Sequence, residues 1–240
     1  MKIRAVFFDA GETLLSPHPS FEELFCTTLA ECGSEVIPED VSEVVGSLTS
    51  TLTDFLDQTS MSTWSTSAQA SRQFWGLFYA QLLDRLGVAD SDQKLADAVY
   101  GRFTSYDSYR LFEDSLPAIQ ALREAGLAVG LISNFEGWLE GMLTQMGVAD
   151  SFEPMIISGK EGLEKPDPAI FNLALERARV SGSQSAYVGD HPRLDVEASK
   201  AVGMTGILID RKGRHPGFEG HRIESLSDLL PLLEALEAGP

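Results

Sequence analysis

Between Ala5 and Ser71 the chain has no Lys or Arg, although eleven Asp and Glu residues fall in that window. The whole sequence of 240 residues carries 18 Lys and Arg against 36 Asp and Glu, a formal charge of −18. Such a chain repels phosphate polymers, which argues against nucleic acid and anionic membrane as partners. The acidic run itself reads as a solvated face. Only two cysteines occur, Cys26 and Cys32, six apart in a helical-looking stretch. That spacing fits no metal or redox motif, and reduced structural thiols in a cytoplasmic protein are the plain reading. No apolar run approaches the roughly 18 residues of a membrane helix. The opening residues turn polar at Asp9, too early for a signal peptide. The expectation is a cytoplasmic protein with neither nucleic acid nor membrane as partner, of undetermined oligomeric state.

What is present is ordinary globular composition, 43% hydrophobic and 22% charged, enough for one large domain or two modest ones. Residues 3–8 are short, apolar and β-prone and end at Asp9-Ala10-Gly11, a buried strand running into a loop. Helical spacing follows at Phe21, Leu24, Phe25 and Leu29, then at Val41, Val44, Val45, Leu48, Leu52 and Phe55. Residues 59–71 read as a polar, mobile loop carrying Trp64. Phe74, Trp75, Phe78, Tyr79, Leu82 and Leu83 predict a third helix, and 91–104 a fourth. The aromatics Trp64, Phe74, Trp75 and Phe78 read as core of this helical block.

From about residue 112 strands and helices alternate. Strands are expected at 127–133, 154–157, 185–189 and 205–209, and helices at 114–125, 136–146, 168–178, 193–202 and 227–237. Asp167 is placed to cap the helix at 168, with Pro168 at its first position. The pattern implies an α/β fold, a Rossmann-like parallel sheet with right-handed crossovers. One strand opens the sheet, about ninety helical residues interrupt it, and the sheet resumes. The expected division is a core of 1–15 and 109–240 with an inserted helical domain at 16–108.

In an open parallel sheet ligands bind at the carboxyl ends of the strands. Asp9, Ser133 and Asp190 follow strands there, and Lys165 lies in a loop before a helix. Singly, each has a bland reading: a turn or cap aspartate, a helix-capping Ser133-Asn134, a Gly189-Asp190 turn, a surface lysine. Together and in order they resemble the four motifs of the haloacid dehalogenase superfamily. These are Phe8-Asp9-Ala10-Gly11-Glu12-Thr13-Leu14, Leu131-Ile132-Ser133-Asn134, Gly162-Leu163-Glu164-Lys165-Pro166-Asp167-Pro168, and Val188-Gly189-Asp190 continuing through His191-Pro192-Arg193-Leu194 to Asp195. Within that family, Asp9-Ala10-Gly11-Glu12-Thr13-Leu14 and Ser133-Asn134-Phe135-Glu136 are most similar to the dehalogenase-like hydrolase domain-containing protein 3 subgroup. The helical insertion falls where this family carries its cap.

The resemblance implies a hydrolase in which Asp9 is the nucleophile and forms an aspartyl-phosphate. It implies Mg²⁺ on the Asp9 carboxylate, the Gly11 carbonyl and Asp190, with Asp195 holding a metal-bound water or orienting Lys165. Ser133, Asn134, Thr13 and Lys165 are the implied contacts of a small phosphorylated substrate. One departure stands out. Phosphatases of this family carry a second Asp two residues after the nucleophile, as the acid that protonates the leaving group, and here that residue is Gly11. Glu12 replaces a usual Gly and is either a displaced acid or an outward loop carboxylate. Two relatives lacking the second Asp, phosphonatases and 2-haloacid dehalogenases, rely on a cap lysine or an early-cap arginine, and the base-free stretch offers neither. Dehalogenases also have no acid where Asp190 stands. The remaining alternative is a phosphate-binding or interaction protein on a degenerate form of the fold.

Overall fold

In the computed structural model, residues 3–49, 61 and 63–238 are described. The chain divides into two compact units, one of Met1–Ser16 with Leu111–Pro240 and one of Pro17–Arg110. Short strands β2 (Leu15–Pro17) and β3 (Tyr109–Leu111), both unexpected from sequence, pair as a two-stranded ribbon where the chain passes between the units. Three-residue strands carry too little alternation to register in a hydrophobic pattern.

The first unit is built on six parallel strands: β1 (Ala5–Phe8), β4 (Ala128–Ser133), β5 (Met155–Ile157), β6 (Ser185–Gly189), β7 (Thr205–Ile209) and β8 (His221–Ile223). Their spatial order is β5-β4-β1-β6-β7-β8. β1 is central because its four residues, Ala-Val-Phe-Phe, are buried on both faces, as a parallel strand covered on each side requires. Ala5 and Phe7 pack with Ile132, Tyr187 and the helix Pro168–Ala178 through Ile170, Phe171 and Ala174. That helix starts where expected, with the Asp167 carboxylate accepting from the Ala169 amide at 2.8 Å. The edge strand β8 was missed, since His-Arg-Ile offers no apolar run.

One expected helix takes another form. Residues Pro192–Glu197 make a π-turn before a short α-helix at Ala198–Ala201. His191 caps the turn, its Nδ1 accepting from the amides of Arg193 and Leu194 at 3.2 Å each. Single π-turns inside helices are frequent at functional sites, and this one contains Asp195.

The second unit is helical: Phe21–Glu31, Pro38–Thr49, Ala68–Arg85 and Lys94–Phe103. Phe25, Leu29, Val41, Phe74, Phe78, Leu82 and Val99 form its buried centre, with Trp64 and Trp75 packed against it. The third helix begins at Ala68, earlier than the expected end of the polar loop, because the Ser67 hydroxyl accepts from the Ala70 amide at 3.1 Å and caps it. The continuation of the second helix through Leu52 and Phe55, and loop residues 59, 60 and 62, lie outside the described residues. Among the described residues, no helix is long and apolar enough to cross a membrane.

One ion pair ties distant parts of the first unit. Asp114 receives Arg211 Nη1 on Oδ2 at 2.9 Å and Nη2 on Oδ1 at 2.8 Å, with Ser225 Oγ at 2.7 Å and the Leu226 amide at 2.9 Å. Burial alone would raise the pKa of Asp114, but the Arg211 and Ser225 bonds outweigh it and the pKa is lowered. A carboxyl whose folded-state pKa is depressed contributes stability that is present above its unfolded value, about 4, and lost as pH falls through the folded value. Asp114→Asn should therefore lower the thermal unfolding midpoint at neutral pH, with the gap to wild type narrowing as pH falls below about 4. A gap independent of pH would contradict this assignment.

Candidate active site

The sheet order places three chemistry-bearing strand ends side by side. β1 lies between β4 and β6, with Phe8 level with Leu131 on one side and with Val188 on the other. Asp9 leaves β1 one residue later, Ser133 ends β4 and Asp190 follows β6. Adjacent strands run about 4.8 Å apart, so the three side chains share one small region. The Asp9 amide continues the ladder by donating to the Val188 carbonyl at 2.9 Å, which fixes the first residue of the loop.

Asp9 is buried, and two groups donate to the same carboxylate oxygen. Ser133 Oγ and Lys165 Nζ each reach Oδ1 at 2.8 Å. Oδ2 accepts no hydrogen bond from the described residues. Lys165 is itself buried, and its ammonium donates also to Asp195 Oδ1 at 2.6 Å and to the Tyr187 hydroxyl at 2.9 Å. All three ammonium protons are thereby satisfied. Asp195 Oδ2 accepts the His191 amide at 2.8 Å. The Tyr187 hydroxyl donates to the Ile132 carbonyl at 2.8 Å, linking β6 to β4 across β1.

The electrostatics follow from this packing. Burial works against the Lys165 charge, but Asp195 and Asp9 outweigh it and hold the ammonium above its ordinary pKa. Burial pushes Asp9 up, Lys165 pulls it down and Asp195 adds to the rise, leaving it raised. Asp190 is raised well above the carboxylate range by burial, then by Asp195, Asp9 and Glu12, with Lys165 opposing. Its carboxylate accepts no hydrogen bond from the described residues. Oxygen atoms of Asp9, Asp190 and Asp195 lie within 4.8 Å of one another. An all-oxygen set with more negative than positive charge suits a hard divalent cation rather than a thiophilic metal.

Asp195 reaches Lys165 because β6 ends in glycine. A Cβ on Gly189 would lie 2.3 Å from the Asp195 carboxyl carbon. The π-turn and Gly189 together let Asp195 fold down onto the strand end.

Two of the expected substrate contacts, Asn134 and Thr13, have surroundings that the sequence does not reveal. The Asn134 carboxamide is committed to Lys165: its Oδ1 accepts the Lys165 amide at 2.7 Å and its Nδ2 donates to the Lys165 carbonyl at 2.8 Å. Its place is to hold the lysine's backbone. Thr13 is fully buried, and its hydroxyl has no hydrogen-bond partner among the described residues. Glu12 pairs with Lys212 at 2.7 Å and takes a left-handed φ of 53°. Gly11 needs no such conformation, and a Cβ there would meet nothing within 4 Å. Sequence reasoning passed over Tyr187. The available signal was a phenol inside a buried strand, whose hydroxyl requires a partner.

Gly189→Ala should lower turnover by roughly 10- to 100-fold through displacement of Asp195 and Lys165, while the protein remains folded by circular dichroism. Wild-type turnover in that variant would show that Asp195 does not depend on the close approach.

A model of the haloacid dehalogenase-like hydrolase family matches residues 3–203. Haloacid dehalogenase-like hydrolase domain-containing protein 3 of Mus musculus is 35% identical over 176 residues, 70% of each chain. Phosphoserine phosphatase of Thermus thermophilus is 31% identical over 136 residues, 56% of this chain and 53% of that protein. In fold, the chain is similar to the HAD-hydrolase YfnB of Bacillus subtilis, solved bound to magnesium, with a TM-score of 0.76 at 16% identity, covering 98% of this chain and all of that one. Matched by the family model over most of its length, the chain belongs to the haloacid dehalogenase-like hydrolases.

Proposed function

We propose that the protein is a Mg²⁺-dependent phosphatase of a small phosphorylated metabolite, acting through an aspartyl-phosphate on Asp9. The observation that carries this reading is the asymmetric hold on Asp9, with Ser133 and Lys165 both on Oδ1 and Oδ2 unengaged. A carboxylate fixed at one oxygen and open at the other is oriented for attack. A binding protein has no use for that arrangement. The phosphatase relative supports phosphate esters as the substrate class.

Asp9, the Gly11 carbonyl and Asp190 would hold Mg²⁺, and Asp195 stands close enough to contribute through a bound water. The ion supplies positive charge where two anions must meet. The protein's own groups do the rest. An Asp9 oxygen bonds to phosphorus as the ester P–O bond breaks, and the departing oxygen keeps the electron pair. Lys165 retains its proton and offsets negative charge on Asp9. Ser133 keeps the carboxylate from rotating. Water then attacks phosphorus as the P–O bond to Asp9 breaks, releasing inorganic phosphate that keeps one of the water's protons, passing the other to the departed oxygen or to solvent, and regenerating the free carboxylate. The helical unit 17–110 is inserted in the sequence directly after the nucleophile loop, the place at which this family carries its cap.

Asp9→Asn should abolish turnover without unfolding the protein, and metal removal should do the same reversibly. Full turnover in Asp9→Asn would remove the covalent mechanism. Because Asp9 and Asp190 are raised by burial and by neighbouring carboxylates, they must lose protons to bind a cation. Calorimetric Mg²⁺ affinity should rise with pH and release protons, and a pH-independent affinity would place the ion elsewhere.

The missing acid at Gly11 makes a second prediction. With no proton donor there, the dependence of kcat/KM on leaving-group pKa should be steep, aryl and acyl phosphates turning over far faster than alkyl ones. Gly11 is free of positive φ and of crowding, so Gly11→Asp should fold. It should speed alkyl esters by up to about 10²–10⁴-fold, with little effect on p-nitrophenyl phosphate. A shallow wild-type dependence would mean another group donates the proton, and Glu12→Gln would then test the nearest candidate.

A further inference from the structure

The loop from Asp9 to Leu14 carries the nucleophile, and most of its backbone is tied locally. The amides of Leu14 and Leu15 donate to the Ala10 carbonyl, the Glu12 amide donates to Leu15, and the Leu14 carbonyl accepts from the Phe112 amide and from Ser115 Oγ. The Thr13 carbonyl is held differently. Its partner is a side chain 198 residues away, Arg211, whose Nη2 donates to it at 2.8 Å.

Arg211 is held at both terminal nitrogens and over its face, while its buried Nε has no hydrogen-bond partner among the described residues. Its two terminal nitrogens grip Asp114 in a bidentate pair, and its guanidinium lies 3.9 Å from the centre of the Phe112 ring. Asp114 is anchored in turn by Ser225 and the Leu226 amide. The loop that carries Arg211 is closed on Asp210, whose carboxylate accepts the amides of Arg214 at 2.7 Å and His215 at 3.0 Å. The pair is largely buried, 13% and 14% exposed, unlike the neighbouring Lys212–Glu12 pair at 51% and 31%. A buried bidentate pair keeps one geometry, whereas an exposed lysine pair is loose and screened.

We propose that Arg211 is a positioning residue of the phosphoryl-transfer site: through the Thr13 carbonyl it sets the position of the Asp9–Leu14 loop, and with it the Gly11 carbonyl and Asp9. Its hydrogen bonds among the described residues go to Asp114 and the Thr13 carbonyl, none to Asp9, Ser133, Lys165 or Asp190. This inference rests on the phosphatase reading above. A planar fork is required, because one group must serve Asp114 twice, reach Thr13 and sit over the Phe112 ring. A lysine ammonium can satisfy the charge of Asp114 but not that set of contacts.

The test compares wild type, Arg211→Lys and the milder Asp114→Asn, which leaves the guanidinium in place but loosens it. Three quantities are read below the melting temperature of each: kcat and KM for p-nitrophenyl phosphate, calorimetric Mg²⁺ affinity of the protein without substrate, and the unfolding midpoint. The expected result for Arg211→Lys is a kcat lower by roughly 10- to 100-fold, as small displacements of reacting groups produce. KM should change far less, and Mg²⁺ affinity should weaken. Asp114→Asn should move the same quantities in the same direction by less. A lowered unfolding midpoint with unchanged kcat and Mg²⁺ affinity in the folded variants would make Arg211 a stability device only and overturn the inference. If Arg211→Lys does not fold, Asp114→Asn decides alone by the same criteria. Failure of wild type to hydrolyse any phosphoester with Mg²⁺ would instead overturn the phosphatase reading.

Discussion

A single buried ammonium organises the site. Lys165 carries its charge in a place where burial disfavours it, and keeps that charge because Asp195 and Asp9 lie beside it and, with Tyr187, accept its three hydrogen bonds. Removing one partner from such an arrangement leaves a buried charge uncompensated and typically costs about 3–5 kcal/mol. Much of the surrounding structure is the means of keeping those partners in place. Asn134 clamps the backbone of Lys165 from the end of β4. The π-turn, its His191 cap and the absent side chain at Gly189 bring Asp195 down onto it. Tyr187 spans the sheet to Ile132 and fills the third direction.

The same ammonium cannot balance all the acid around it. Asp190 stands near Asp9, Asp195 and Glu12, and no described residue donates to its carboxylate. The surplus of negative charge, on oxygen ligands alone, is what makes the site suited to a hard cation. Lys165 offsets part of that charge, and under the proposed mechanism the remainder is what a cation would balance. The Arg211–Asp114 node lies farther along the chain and holds the Thr13 carbonyl of the loop that follows Asp9.

How much of this was legible in the sequence depends on the range of the interaction. The helix from Pro168 to Ala178 and the strands Ser185–Gly189 and Thr205–Ile209 fall where expected because propensity, capping and period agree locally. Asp9, Ser133, Lys165 and Asp190 were legible because each stands at a strand end or in a motif of recognisable order. The Asn134 clamp on the Lys165 backbone and the burial of the Thr13 hydroxyl were not, since a side chain's direction depends on packing rather than on its neighbours in sequence. Arg211 and Asp114 lie in no motif, and their link joins residues about a hundred positions apart. The π-turn was hidden for a different reason: Asp195 overrides a pattern that locally reads as plain helix. The short strands β2, β3 and β8 fall below the length at which periodicity carries information.

The central claim is that Asp9 attacks phosphorus. It is tested most directly by mixing the protein with Mg²⁺ and excess acetyl phosphate, quenching in acid on the millisecond scale, and mapping phosphoryl adducts by peptide mass spectrometry. The account predicts a phosphoryl group on the peptide containing Asp9, on Asp9 itself, appearing no more slowly than product and absent from Asp9→Asn. Steady turnover with no adduct at Asp9 at any quench time, or an adduct on another residue that forms and decays at the rate of turnover, would contradict it.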